Sequence, residues 1–217
     1  MSVLAVIPAR YASTRFPGKP LAFIAGKPMI RHVWERACGA KRVDGVLVAT
    51  DDRRIADYCA ENAMDFQMTA DSHETGTDRM AEVAAATDAR LYVNVQGDEP
   101  LIDAGAIDAV VQCLEEAVRR GIEVATGYIE GATQAQLESR SVVQLVPTED
   151  GCVLTFSRLP VPHPFVEAFP HTVHVGMYAF TRAALLRFAE MERGPVERAE
   201  SIELIRFLEH GSRIACF

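Results

Sequence analysis

The chain has 217 residues, 49% of them hydrophobic and 24% charged, which is a composition typical of a globular protein with one substantial core. Its 30 acidic residues outnumber its 22 lysines and arginines, and the formal charge of −8 argues against a dedicated nucleic-acid binder. No apolar stretch reaches the roughly 18 residues that a membrane span needs, and no basic-then-apolar leader opens the sequence. We therefore expect a cytoplasmic protein without a membrane or nucleic-acid partner.

The number and spacing of the cysteines also favour the cytoplasm. Five of them are spread along the chain, and none forms a Cys-x-x-Cys pair. This spacing favours reduced thiols over a zinc site or a disulfide framework. The length predicts a single domain over residues 1–217.

The first predicted strand opens into a loop with unusual chemistry. An apolar run from Val3 to Ile7 is followed by a segment, residues 8–19, that contains Arg10, Arg15 and Lys19 among hydroxyls and a glycine. Cations, small residues and backbone amides are what a polyphosphate needs, so we expect this arginine loop to hold a nucleotide triphosphate. It matches neither of the common glycine-rich phosphate motifs. The alternative is a basic surface turn after a strand.

Strands and helices then alternate. Pro28 begins a helix with an apolar stripe, Val43–Ala49 is a strand, and residues 51–62 form a helix. A strand at Leu91–Val95 leads to a helix that reaches Val118, and Ile122–Tyr128 returns to strand. This rhythm predicts an α/β fold with a mostly parallel central sheet flanked by helices, and nucleotides bind such sheets at the carboxyl ends of the strands.

The second half has a different pattern. Residues 142–146 and 152–157 predict a hairpin, and the proline-rich stretch 160–170 lacks periodicity, as expected of a lid or a subunit contact. A strand at Val173–Thr181 is followed by a helix at residues 183–191 and another at 199–209, and the last residues, 213–217, look like a strand. We divide the chain at about residue 130 into a nucleotide-binding part and a small β-rich accessory part.

Two further loops carry candidate site residues. Thr75-Gly76-Thr77 directly precedes a helix and can offer hydroxyls and helix-start amides to a base or a phosphate, although a simple helix cap explains it equally. Asp98 follows a strand that should be central, and its carboxylate is the hard oxygen ligand that Mg²⁺ prefers. A tight turn at Gly97-Asp98 is the alternative.

These blocks together resemble the 3-deoxy-manno-octulosonate cytidylyltransferases, or CMP-Kdo synthetases. The resemblance covers nearly the whole chain and is carried by residues 7–21, 26–30, 49–51, 73–79, 94–100, 156–158, 174–180 and, weakly, 197–206. It implies a Rossmann-like nucleotidyltransferase fold, a dimer, and a reaction that uses CTP and Mg²⁺ to activate an acidic eight-carbon sugar.

The resemblance also implies a role for each site residue. Arg10, Lys19 and Asp98 would be catalytic, with Asp98 as the metal ligand. The nucleotide would lie against Ala9, Arg10, Arg15, Lys19, Thr75, Gly76 and Arg79. The sugar acid would face Gln96, Arg158, His174, Tyr178 and Glu203. Alternatively, Arg158 pairs with a neighbouring acid and His174 is a satisfied strand residue.

The chain departs from the family pattern in two ways. Leu204 replaces a polar amide, Gln144 stands where lysine is common, and a second arginine near Phe165 is missing, so the sugar specificity is open. Family members also carry a Val-Asp-Thr-Pro-type segment, whose aspartate gives Mg²⁺ a second carboxylate, beyond the point matched by Phe217. Either the chain is a shortened form, or its metal is held differently.

Two other functions remain open at this stage. The acceptor could be a sialic-acid-like sugar or a sugar 1-phosphate, because the arginine loop does not distinguish these substrates. The protein could also be a nucleotide-binding homologue with weak catalysis that acts in regulation, as the missing polar groups suggest.

Overall fold

A computed structural model describes residues 2–12 and 16–217 of the chain. The strands are β1 (Val3–Ala9), β2 (Phe23–Ile24), β3 (Lys27–Pro28), β4 (Gly45–Thr50), β5 (Phe66–Met68), β6 (Leu91–Asn94), β7 (Val124–Glu130), β8 (Gln144–Pro147), β9 (Val153–Ser157), β10 (Thr172–Thr181) and β11 (Ala215–Cys216). The helices are α1 (Met29–Cys38), α2 (Arg53–Glu61), α3 (Gly76–Ala86), α4 (Ala104–Val118), α5 (Gln134–Glu138), α6 (Arg182–Phe188), α7 (Pro195–Glu200) and α8 (Ile205–Glu209).

The central sheet has the strand order β11-β7-β10-β6-β1-β4-β5. Strands β6, β1, β4 and β5 run parallel, as the alternating pattern predicted. The long strand β10 is antiparallel to both β6 and β7, between which it lies. Strands from both sides of residue 130 therefore join one sheet, and the division of the chain at that point stays a prediction.

The helices cover both faces of the sheet. The apolar stripe of α4, which includes Ile107, Val111 and Leu114, is fully buried on one face together with the stripe of α1. The side chains of α3, α6 and α8 pack on the other face, where Met80, Phe188 and Phe207 are fully buried. Each such side chain contributes roughly 1.5–3 kcal/mol of burial free energy. No helix of the described residues is both long and apolar enough to cross a membrane.

The predicted hairpin is confirmed, since β8 and β9 pair in antiparallel register. The single helix predicted over residues 199–209 is wrong. The chain forms two short helices, α7 and α8, and Ser201 between them is left-handed with φ 54°. The Arg158 guanidinium donates to the carbonyls of Glu200 and Ser201, so these oxygens bind a distant side chain where a continuous helix would use its own amides.

Candidate functional site

The three loops singled out in the sequence meet at the carboxyl edge of the parallel strands. Arg10, which follows β1, donates a hydrogen bond to the backbone carbonyl of His73 in the loop before α3. Lys19 reaches the loop after β6, where its Nζ lies 2.6 Å from Oδ2 of Asp98. Residues far apart in sequence therefore surround one hollow, as the sequence predicted for a phosphate site.

A cavity of about 190 Å³ occupies this hollow. Its lining includes Pro8, Arg10, Lys19, Gln96, Gly97 and Asp98. Gly97 is required for the close approach of the two loops, because a Cβ there would lie 2.7 Å from the carbonyl oxygen of Pro8. The turn at Gly97-Asp98, which the sequence offered as the alternative to a metal ligand, is present, and it places Asp98 at the cavity.

The Lys19–Asp98 ion pair is accessible to water. Its side chains are 35% and 50% exposed. Exposed pairs contribute about 1 kcal/mol or less. An incoming polyanion and cation would separate this pair at little cost, so both charged groups are available to ligands.

The structure does not place the side chains of the other predicted nucleotide residues at the first cavity. Arg15 lies outside the described residues. The side chain of Ala9 is in the core. Arg79 is fully buried, where its guanidinium donates to Oδ2 of Asp51 at 2.7 Å and to Thr69. Contacts of Ala9, Arg15 and Arg79 with a nucleotide thus stay predictions.

The start of α3 is capped as the sequence suggested. Thr75 and Asp78 form a reciprocal capping box, in which Oγ1 of Thr75 accepts from the amide of Asp78 and Oδ2 of Asp78 accepts from the amide of Thr75. Gly76 begins the helix. The cap fixes the Thr75-Gly76 segment, which also lines a second cavity.

This second cavity has a volume of about 230 Å³. Its lining includes Thr75, Gly76, Arg158, His174, Tyr178 and Glu203. The two cavities adjoin, because Cγ of Pro8, which lines the first, lies 3.6 Å from the position of a Cβ built on Gly76, which lines the second. The structure therefore brings the predicted sugar-side residues together and links them to the predicted phosphate side.

Arg158 uses part of its hydrogen-bonding capacity within the protein. Its Nε, Nη1 and Nη2 donate to the carbonyls of Glu200, Arg140 and Ser201 at 2.6, 3.0 and 3.2 Å. A guanidinium has five N–H donors, so one remains on each terminal nitrogen. These three contacts fix the orientation of a cation at the second cavity.

His174 is held as a neutral ring. Its Nε2 hydrogen-bonds Oγ1 of Thr126 at 2.8 Å, and its ring stacks on Tyr178 with 5.5 Å between centroids. Burial lowers the pKa of His174 to about 3. Burial, with Glu203 and Glu99 nearby, raises the pKa of Tyr178, so its hydroxyl stays a donor.

This depressed pKa predicts a contribution to acid destabilisation. Between pH 6.5 and about 3 the unfolded chain binds a proton at His174 that the native chain does not, so stability falls as the pH falls. We expect His174→Gln to remove up to about 1.4 kcal/mol per pH unit of this dependence. Urea unfolding at several pH values from 7 to 5 measures it.

The exposed His163 supplies the matched control. We expect His163→Gln to follow the wild-type dependence on pH. Identical slopes for the wild type and His174→Gln would contradict a His174 ring that stays neutral in the native protein over this range.

Glu203 lies where the second cavity meets α3. Its Oε2 accepts a hydrogen bond from the amide of Thr77 at 3.0 Å. Burial raises the pKa of Glu203, and the Thr77 amide acts in the opposite direction. The carboxyl group therefore binds the start of α3 and also lines the second cavity.

Comparison with known proteins agrees with this geometry. The family model described as cytidylyltransferase matches residues 4–214. The chain belongs to the cytidylyltransferase family. This cytidylyltransferase is 46% identical to the 3-deoxy-manno-octulosonate cytidylyltransferase of Syntrophotalea carbinolica, over 99% of the chain and 89% of the relative. It is 45% identical to the protein of the same name from Geobacter metallireducens, over 99% of the chain and 88% of the relative.

A solved structure gives the same result in three dimensions. The structure of CMP:2-keto-3-deoxy-manno-octonic acid synthetase complexed with CTP matches this cytidylyltransferase with a TM-score of 0.94 and 38% identity. The match covers 100% of the chain and 89% of that protein. The Rossmann-like nucleotidyltransferase fold and the family resemblance stated from the sequence are thereby confirmed.

Asn94 of this cytidylyltransferase is not among the site residues predicted from the sequence. Its side chain is fully buried at the end of β6, and within the described part of the chain neither of its amide atoms has a hydrogen-bond partner. Its Nδ2 lies 3.8 Å from the position of a Cβ built on Gly76. A polar residue at the end of an apolar strand was the available signal, since buried amides normally have partners.

Proposed function

We propose that this cytidylyltransferase transfers CMP from CTP to the anomeric hydroxyl of a 3-deoxy-ulosonic acid, Kdo or a close variant, and releases pyrophosphate. The observation that carries the proposal is the close approach of Pro8 and Gly76, which joins a cavity with cations and a carboxylate to a second cavity with sugar-binding chemistry. The names of the relatives support the same substrates.

The phosphate-side residues supply charge and position. The sugar hydroxyl would attack the α-phosphorus in line with the departing pyrophosphate, and such transfers depend on alignment and on neutralising the phosphate oxygens. Arg10 and Lys19 face the first cavity and would hold the triphosphate, together with Arg15. Ala9, Thr75, Gly76 and Arg79 would surround the cytosine and ribose.

Mg²⁺ fits the donor chemistry of this site. Asp98 offers an exposed hard-oxygen donor beside the cavity. The described residues contain no group of three or more side chains that could hold a metal by themselves, so phosphate and water would complete the coordination around Asp98. When bound, Mg²⁺ would neutralise part of the phosphate charge.

The sugar-side residues fit an acidic acceptor. The two remaining N–H donors of Arg158 suit a carboxylate, and the neutral His174 and protonated Tyr178 can hydrogen-bond hydroxyls. Gln96 and Glu203 add an amide and a carboxyl group. The acceptor is therefore expected to be an acid with several hydroxyl groups.

A substrate screen tests the function. We expect pyrophosphate release only when CTP, Mg²⁺ and a 3-deoxy-ulosonic acid are all present. UTP and ATP replace CTP in parallel reactions, and a sialic acid and a sugar 1-phosphate replace the acceptor. Pyrophosphate with a different pair would change the substrate assignment, and none with any pair would overturn the enzymatic proposal.

A homodimer is part of the same proposal. The proline-rich segment between β9 and β10 exposes Leu159, Phe165 and Val166, with Phe165 89% exposed. Contiguous exposed apolar side chains are typical of interaction surfaces. Light scattering should give twice the 23.8 kDa chain mass, and a monomer mass at micromolar concentration would contradict the dimer.

We also place the protein in the cytoplasm. All five cysteines are free thiols, and Cys59, Cys152 and Cys216 are buried. Free thiols in this number suit a reducing compartment.

A further inference from the structure

A ring of charged side chains joins the start of α3 to α7 and α8. Arg206 donates from Nε and Nη2 to the two carboxylate oxygens of Glu197, both at 2.8 Å, and from Nη1 to Oδ1 of Asp78 at 2.9 Å. Arg193 extends this series of ion pairs, because its Nε donates to Glu197 at 3.2 Å and its Nη1 to Glu74. We call these five residues the charge ring.

The centre of the charge ring is shielded from water. The side chains of Arg206 and Glu197 are 4% and 1% exposed, and the guanidinium carbon of Arg206 lies 3.9 Å from the centroid of the Phe188 ring. Removing one partner of such a pair leaves a buried charge uncompensated, whereas an exposed pair tolerates the loss. The geometry of Arg206 is thus tightly determined.

Arg206 reaches the nucleotide side through Asp78. One oxygen of this carboxylate binds Arg206, and the other accepts hydrogen bonds from the amide and the hydroxyl of Thr75 at 2.9 and 2.7 Å. The capping box that fixes Thr75 and Gly76 is therefore anchored to Arg206. A shift of the guanidinium would move the cap with it.

Arg206 reaches the sugar side through the turn that precedes its helix. Glu203 lies three residues earlier in the chain, and the amide of Arg206 donates to its carbonyl at 3.2 Å. The Glu203 side chain lines the second cavity and accepts from the amide of Thr77 on α3. Two separate links, Arg206–Asp78 and Glu203–Thr77, thus fix α3 relative to this segment.

We propose that Arg206 is a positioning residue that holds the Thr75-Gly76 segment and Glu203 in one arrangement and so couples the nucleotide side of the site to the sugar side. The inference rests on the proposed function for the identity of the two ligands. Arg206 lines neither cavity itself and acts through Asp78, through Glu197, which lines the second cavity, and through the turn before its helix.

Two conservative variants break the same link. Arg206→Lys keeps the charge but loses the planar fork, so one ammonium cannot reproduce the contacts with both Glu197 and Asp78. Asp78→Asn keeps one side-chain oxygen that can accept from the Thr75 amide, but its amide nitrogen cannot accept from Arg206. We expect each variant to lower kcat/KM by roughly tenfold to a hundredfold, as small misplacements at a site do.

The readouts separate positioning from stability. Calorimetry gives the dissociation constant for CTP without turnover, and steady-state kinetics gives KM for the sugar acid and kcat. We expect the dissociation constant for CTP and KM for the sugar acid both to rise. The measurements are made at a temperature where circular dichroism shows that the variants are folded. Because the two substitutions act on one contact, the double variant should lose less than the product of the single losses.

The control is Arg187→Lys, which makes the same change in an exposed ion pair with Glu123. It should leave both ligand constants unchanged. If the Arg206 and Asp78 variants have a lower melting temperature but unchanged values of the CTP dissociation constant and of KM for the sugar acid, the charge ring only stabilises the fold. That result would overturn the inference. A change in only one ligand constant, or multiplicative losses in the double variant, would overturn the coupling. No turnover by the wild type would instead refute the proposed function.

Discussion

Asp98→Asn is expected to lower kcat/KM by roughly a hundredfold to a thousandfold, the range for loss of one electrostatic contact to the reacting phosphates. The amide has the shape of the carboxylate but lacks its charge, so it holds Mg²⁺ poorly. The activity that remains should need a higher Mg²⁺ concentration. Pyrophosphate release measured over a series of Mg²⁺ concentrations gives both values.

The fold should survive this substitution. Asp98 is half-exposed and lies in a turn, where Asn is accepted as readily as Asp. Asp103→Asn is the matched control, because Asp103 caps α4 five residues later and Asn caps about as well. Unchanged catalysis in Asp98→Asn would mean that the metal lies elsewhere.

Lys19→Met should also lower kcat/KM by about a hundredfold or more, because it removes the cation that pairs with Asp98 at the first cavity. The unbranched methionine keeps the apolar stem of the lysine without its charge. The affinity for CTP, measured by calorimetry, should fall together with the rate of turnover. Loss of turnover with unchanged CTP affinity would assign Lys19 to the transition state alone.

Lys41→Met is the control for the lysine variant, because Lys41 is exposed on a surface away from both cavities. Its kinetic constants should equal those of the wild type. Lys19 and Asp98 contact each other, so their double variant should lose less than the product of the single losses. Full multiplicativity would indicate that the two groups act on separate steps.

The sequence predicted the nucleotide side of the fold well, for a physical reason. Strands β1, β4 and β6 are apolar runs in a parallel sheet, and their loops meet at one edge whatever the details of packing. The cap at Thr75 and the turn at Gly97-Asp98 depend on local residue chemistry, which the sequence displays directly. Boundaries differed by only a few residues at most elements.

The sugar side was harder to predict because long-range contacts build it. Ile202, Ile205 and Leu208 have helical spacing, but Arg158 binds the carbonyls of the preceding residues and the helix breaks at Ser201. Nothing near residue 201 in sequence announces a guanidinium from residue 158. Tertiary contacts of this kind override local propensity.

The charge ring shows the same limit. Arg206 and Asp78 are 128 residues apart, and each alone suggests an ordinary surface charge. The family resemblance marked the segment that contains Arg206 without indicating its partner. Only the meeting of α3 with α7 and α8 reveals that the guanidinium is buried.

The position of β10 has a consequence for synthesis on the ribosome. Strands β6 and β7 belong to the first 130 residues, yet β10, at residues 172–181, lies between them. Until β10 emerges, the nascent chain leaves one edge of β6 without its final hydrogen-bonding neighbour, and open edges of apolar strands promote aggregation. The last quarter of the polypeptide therefore closes the sheet, and its delayed arrival is the step at which a chaperone would have most to protect.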